Sequence, residues 1–231
     1  MREQPKFLDG LSDGAIFYGP PLEGPILFQE NGLTFEADPL QGQKTGFFLD
    51  QRDNRARVEK LADGKSVLNL FAYTGGFSVY AARGGARKVV SVDTSAPALE
   101  GAIRNMGYNR KIAAVAAASH ETMAGDVFEV LTQMGKIKRR FDVVIIDPPM
   151  FAQSKAQIPS ALSAYGRLTQ LGLEILRPGG MLVQASCSSQ VEAETFFKTI
   201  YHAAKKMGRP LQQMEETGHA LDHPATFKEG A

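Results

Sequence analysis

Several groups of residues in this 231-residue chain carry side chains that could do chemistry, and each stands where an apolar run stops. Asp147-Pro148-Pro149-Met150-Phe151 ends the run Phe141-Asp142-Val143-Val144-Ile145-Ile146. Proline has no N–H and a fixed φ, so two in succession cannot continue a strand. An acid beside such a stiff turn and an aromatic ring can hold the polar edge of a flat ring. Cys187, in Ser186-Cys187-Ser188, follows Met181–Ala185 and offers a nucleophilic sulfur. A lone cysteine is by default a small buried hydrophobe, but flanking serines and a position at a strand end argue otherwise here. Gly75-Gly76, after Phe71-Ala72-Tyr73-Thr74, would let backbone approach a ligand and leave helix N–H groups facing it. Asp93 closes Val89-Val90-Ser91-Val92 and could accept two hydrogen bonds from a ribose diol. Asp126, in Gly125-Asp126-Val127, could accept from an adenine amino group, or simply cap a helix.

These residues make one site only if the elements bring them to one edge. After Asp63-Gly64 the hydrophobic pattern alternates strand with helix. Strands are expected at 66–71, 88–93, 141–146 and 181–186, with a weaker one within Ala113–Ala118. Helices are expected at 77–83, 96–108, 127–134, 159–176 and 191–207, preceded by a charged one reaching about Leu61. Such alternation implies a mostly parallel sheet flanked by helices, the α/β class with a Rossmann-like layout. Open sheets of this kind bind ligands beyond the carboxyl ends of their strands. All five candidate groups then converge on that edge.

The first 44 residues differ in character and form a small β-rich appendage to a domain covering 45–231. Ile26–Glu30 and Leu33–Ala37 flank Asn31-Gly32, the signature of a two-residue hairpin turn. A short strand is expected near Ala15–Tyr18.

Composition narrows the function classes. With 26 basic and 25 acidic residues there is no global field for a polyanion, although a local patch could still bind RNA. The basic run Lys136–Arg140 reads as a solvated loop before a strand. One cysteine excludes an internal disulfide and a Cys-rich zinc site, and no metal is expected. The chain shows neither a membrane-length apolar stretch nor a signal pattern, so a cytoplasmic protein is expected. Neither the G-x-G-x-x-G pattern of nicotinamide enzymes nor the phosphate-binding G-x-x-x-x-G-K-[ST] is present.

Together with Arg177-Pro178-Gly179-Gly180, these features resemble class I S-adenosylmethionine-dependent methyltransferases, from about Gly42 onward. Gln43-Lys44-Thr45-Gly46-Phe47-Phe48-Leu49-Asp50-Gln51-Arg52, the Asp147–Phe151 turn and Ser186-Cys187-Ser188 are similar to the bacterial large-subunit ribosomal-RNA cytosine-C5 methyltransferase family. The resemblance implies S-adenosylmethionine as cofactor, bound by Phe71, Tyr73, Thr74, Gly75, Gly76, Asp93 and Asp126. It implies that Arg52 and the segment before it pack beside cofactor and base. RNA, specifically 23S ribosomal RNA, is the implied partner. Cys187 is the implied nucleophile, with Asp147 on the cytosine N3/N4 edge and Pro148, Pro149 and Phe151 shaping the pocket of an extruded base. The family motif has lysine where this chain has Met150, and Lys155 is the replacement considered. The family also carries a PUA-type RNA-binding domain and a last strand that these 231 residues lack. Either the chain is part of a longer protein or the architecture is cut down.

The thiol separates two reactions. Carbon 5 of cytosine is too electron-poor to take a methyl group until a thiolate adds at carbon 6, which is covalent catalysis. A guanine or adenine nitrogen needs no such help, and acid-Pro-Pro-aromatic turns occur in enzymes that methylate those atoms too. A catalytically silent RNA-binding module on the same fold is the third reading. The base that removes the carbon-5 proton is unassigned, with His120, His202, His219 and His223 as the candidates.

Overall fold

The computed structural model describes residues 19–40, 42, 45–218, 220 and 222. The expected strand at 15–18, Lys44, His219 and His223 lie outside the described residues.

The hairpin forms as expected, from β1 (Ile26–Glu30) and β2 (Leu33–Ala37). Its turn residues Asn31 and Gly32 have φ of 49° and 78°, as a tight two-residue turn requires. A short 3-10 turn at Leu49–Gln51 leads into α1 (Arg52–Leu61). The parallel sheet comprises β3 (Ser66–Leu70), β4 (Lys88–Asp93), β5 (Ser119–Ala124), β6 (Phe141–Ile146) and β7 (Leu176–Gln184). Its helices are α2 (Gly76–Arg83), α3 (Ala96–Tyr108), α4 (Ala113–Ala117), α5 (Val127–Lys136), α6 (Ile158–Ile175) and α7 (Ala193–Lys206).

The sheet order is β5-β4-β3-β6-β7, all parallel. From β3 the chain builds outward to β4 and β5, then returns to place β6 on the other side of β3. That reversal is the switch point at which such sheets open a ligand crevice. Register carries the crevice across the sheet: Leu70 pairs with Val92 and with Ile146, and Ile146 with Gln184.

The two faces of the sheet bury alternate residues. Val67, Val89, Val143 and Ile145 pack with α1, α2 and the hairpin's Leu33 and Phe35. Leu68, Leu70, Val90, Val92, Val144 and Ile146 pack with α5, α6 and α7. Strands covered on both faces read as unbroken apolar runs, which is how β3, β4 and β6 announce themselves.

The hairpin is fastened by polar groups as well as by its rings. Buried Arg55 on α1 donates Nε and Nη2 to the Glu30 carboxylate at 2.9 and 2.6 Å, and Nη1 to the Phe48 carbonyl at 2.8 Å. Stranding either charge by removing the other costs roughly 3–5 kcal/mol. Tyr80 Oη also donates to Glu30, and burial pushes that phenol up to about 12.

Two expectations need correction. Ala113–Ala117 is a short helix, and the third strand follows it at Ser119–Ala124. Alanine favours helix and has no branched side chain to pack on a pleated surface. In addition, Arg177-Pro178-Gly179-Gly180 does not separate the helix expected at 159–176 from a strand starting at 181. It lies within β7, where the register shifts so that Phe141 pairs with Leu176 but Val143 with Met181.

Candidate active site

The loop after β3 is held in an unusual shape. Phe71 and Tyr73 have φ of 55° and 47°, a region that non-glycine residues seldom enter, and Gly75 has 75°. Backbone outliers of this kind cluster at ligand sites. Several bonds fix them: Ala72 N–H donates to Val92 O at 3.0 Å, and Gly75 N–H to Ala72 O at 2.8 Å. The Asn105 amide donates to Thr74 O at 2.8 Å. Gly75 is the N-cap of α2, and a Cβ there would lie 2.7 Å from Ala102 Cβ. Phe48 packs edge-on against Tyr73, ring centroids 5.4 Å apart, which brings the segment before α1 onto this loop.

Asp93 stands beside it, at the end of β4. Its Oδ2 accepts Tyr73 N–H at 2.8 Å and its Oδ1 accepts Ser95 N–H at 2.9 Å. A carboxylate oxygen has two acceptor positions, so each oxygen retains one. Two acceptors on one half-buried carboxylate suit the two hydroxyls of a ribose, and Tyr73 N–H ties the neighbouring loop to the same carboxylate. The residues therefore fit an adenosyl cofactor. Asp126 caps α5, its Oδ1 accepting from Phe128 N–H and Glu129 N–H at 2.9 and 3.1 Å.

Across the switch point, the Pro148–Phe151 turn and the cysteine meet. Cys187 is exposed, and its thiol donates to the Pro148 carbonyl at 3.6 Å. The two segments are tied by Ser188, whose Oγ accepts Phe151 N–H at 3.2 Å and Ala152 N–H at 3.3 Å. Tyr165 on α6 lies under both, with its hydroxyl 2.8 Å from Ser186 Oγ and 3.1 Å from Ser188 Oγ. Phe151 packs between Phe71 and Tyr165, at 6.5 and 5.1 Å. It thereby joins the Pro-Pro turn to the loop after β3.

The remaining predicted residues lie at the margins of this cluster. Arg52 begins α1, and its guanidinium pairs with Asp222 at 2.8 Å and Asp53 at 3.3 Å. Lys155 is exposed in a 3-10 turn ahead of α6. His120, the second residue of β5, is distant along the strand from the ligand edge. Its Nε2 lies 2.8 Å from Ser91 Oγ, and burial pushes its pKa down to about 4. His202 lines a groove between α6 and α7 with Arg167, Lys198 and Lys206.

The strongly perturbed acids are structural. Arg139 and Lys88 hold Glu121 down to about 2. Burial alone would raise Asp142, but Ser66 and Arg177 outweigh it and hold that carboxyl well below its usual range. Both belong to ion pairs at or near the start of strands rather than at the ligand edge. Sequence reasoning missed Tyr165, Ser188 and Asn105 as site-supporting residues. An interior tyrosine and asparagine at helical spacing carry no local signal of what they touch.

Comparison with known proteins shows the family and the fold. The family described as S-adenosylmethionine-dependent methyltransferase matches residues 11–208. A ribosomal RNA large subunit methyltransferase of Deinococcus radiodurans is 48% identical over 220 residues, covering 95% of this chain and 53% of that protein. Ribosomal RNA large subunit methyltransferase I of Pseudoalteromonas translucida is 41% identical over 219 residues, covering 94% and 54%. The chain thus spans about half the length of the curated relatives it matches. The solved structure of SMU.776 complexed with SAH superposes with a TM-score of 0.73 at 34% identity, over 82% of this chain and 49% of that one. With the match running through every strand of the parallel sheet, the chain belongs to the family of S-adenosylmethionine-dependent methyltransferases.

Proposed function

We propose that this chain carries the catalytic machinery for methylating carbon 5 of a cytosine in 23S ribosomal RNA, with Cys187 as a covalent nucleophile. One observation carries the reading: the chain's single thiol lies on the Pro-Pro turn, donating to the Pro148 carbonyl at 3.6 Å. The names of the Deinococcus and Pseudoalteromonas relatives support a ribosomal RNA substrate.

The cofactor would lie along Phe71–Gly76, its ribose on Asp93, its adenine toward Asp126 and Arg52 at the flank. Pro148, Pro149 and Phe151 would wall an extruded cytosine, with Asp147 on its N3/N4 edge and Lys155 toward the RNA backbone. Cys187, as thiolate, bonds to carbon 6, and the electron pair of the ring double bond shifts toward carbon 5. Bound S-adenosylmethionine supplies an electrophilic methyl group to carbon 5 and leaves as a neutral thioether. Loss of the carbon-5 proton to a base restores the double bond, and the carbon–sulfur pair returns to Cys187.

RNA containing 5-fluorocytosine tests this directly, because fluorine cannot leave as the proton does. The intact protein should become trapped as a denaturation-resistant adduct, and Cys187→Ala should form none. Methyl transfer by that variant should fall at least about a thousandfold. An active protein without adduct, or full activity in Cys187→Ala, overturns the cysteine mechanism and points to a guanine or adenine nitrogen instead.

A further inference from the structure

The groove between α6 and α7 starts at the candidate site. In the chain α6 follows the Pro-Pro turn and α7 follows the Cys187 segment, so both helices begin at the ligand edge and run back along the sheet. Lys198, His202 and Lys206 recur every four residues and so share one side of α7. Arg167 and Gln170 face them from α6, and Thr199 lines the groove between Lys198 and His202. Arg167, Lys198, His202 and Lys206 are all exposed. At a helical rise of about 1.5 Å per residue, the stripe from Lys198 to Lys206 is about 12 Å long.

The charge there departs from that of the chain, which has 26 basic and 25 acidic residues. Among the described residues no acid lines this groove. Two acids stand at its ends. Glu194 meets Lys198 Nζ at 2.6 Å, but both side chains are exposed, and such a pair contributes little. Glu174 lies one turn past Gln170, at the far end. Arg167 is steadied by the Phe128 ring, whose centroid is 4.8 Å from its guanidinium carbon.

Cations spaced along both walls, with amide and hydroxyl donors between them, suit an anion that repeats along a line. They do not converge on one point, as a small anionic ligand would require. The phosphodiester backbone of a nucleic acid has that repeat, and its contacts set affinity and register rather than sequence. A strand that places one base in a pocket at the ligand edge must also leave that edge. We infer that the α6–α7 groove binds the phosphate backbone of the RNA strand that carries the target nucleotide. The inference rests on the RNA substrate proposed above and is independent of the cysteine mechanism.

The double variant Lys198→Ala/Lys206→Ala in the full chain removes two exposed charges. Its affinity for a 23S ribosomal RNA fragment should fall about tenfold at physiological salt. The slope of log affinity against log salt should decrease by about 1.4, from about 0.7 per lost contact on a single strand. Affinity for S-adenosylmethionine should not change. Adduct formation with 5-fluorocytosine RNA should slow at low RNA and regain the wild-type rate at saturating RNA, because the groove holds the strand and takes no part in bond making. Lys60→Ala/Lys65→Ala makes the same charge change beside α1, on the opposite face of the sheet, and should leave the slope unaltered. A wild-type slope in the groove variant, or an equal decrease in the α1 variant, overturns the inference. Unchanged RNA binding with lost affinity for an acidic peptide assigns the groove to a protein partner and overturns it as well. Salt-dependent RNA binding through the groove without any covalent adduct sinks the cysteine mechanism alone.

Discussion

At Asp93 each carboxylate oxygen already accepts one backbone N–H, from Tyr73 and Ser95, and keeps one position for a ligand. The residue shapes the loop and, in the proposed reading, takes the ribose in those two positions. Asp93→Asn would set an N–H₂ against one of those N–H donors and remove the charge. A hydrogen bond to a charged group is worth roughly 1.5–3 kcal/mol. Affinity for S-adenosylmethionine should therefore fall about 10- to 100-fold by calorimetry, and unchanged affinity would place the ribose elsewhere. The strand-end positions of Asp93, Asp147 and Cys187 were legible in the sequence because each follows or closes an apolar run. Ser188 was not: it looks like any serine after a strand, and only the fold shows two N–H groups of the Pro-Pro turn converging on it.

Among the elements, the turn from β3 into α2 is tightly constrained at Gly75. Gly75 combines a positive φ with a neighbouring methyl group that a Cβ would meet at 2.7 Å. Gly75→Ala should destabilise the protein by about 1–3 kcal/mol, through strain and overpacking together. A lowered Tm in thermal unfolding checks this, and an unshifted Tm would mean that α3 yields easily at Ala102. The central strands were legible because both faces are covered. β5 was not, since Ser-His-Glu-Thr-Met-Ala at a half-exposed sheet edge has no apolar run to mark it. The alanines just before it took the helix their propensity favours. β7 was misread at its start because Pro178 and the two glycines look like an ending. The sheet instead absorbs them as an irregularity between Phe141 and Val143.

For the molecule as a whole, the alternation of strand and helix made the architecture legible. The attachment of the hairpin was not, because its bonds span long sequence separations. Glu30 to Arg55 and Thr34 to Asn109 are of this kind. One attachment reaches further than the others. The Asn105 side chain accepts Glu36 N–H from β2 at 2.8 Å and donates to Thr74 O of the loop after β3 at 2.8 Å. A single amide group thus serves both the hairpin and the loop. Thermodynamic linkage makes any such coupling reciprocal: whatever the docked hairpin adds to cofactor affinity, bound cofactor returns to the docking of the hairpin. In hydrogen exchange, the Thr34 and Glu36 amides should become more protected on addition of S-adenosylmethionine, and Asn105→Ala should abolish that response. Unchanged protection in the native protein would mean that the two regions open independently. If the response is found, the hairpin strands report occupancy of a site to which they contribute no predicted cofactor contact.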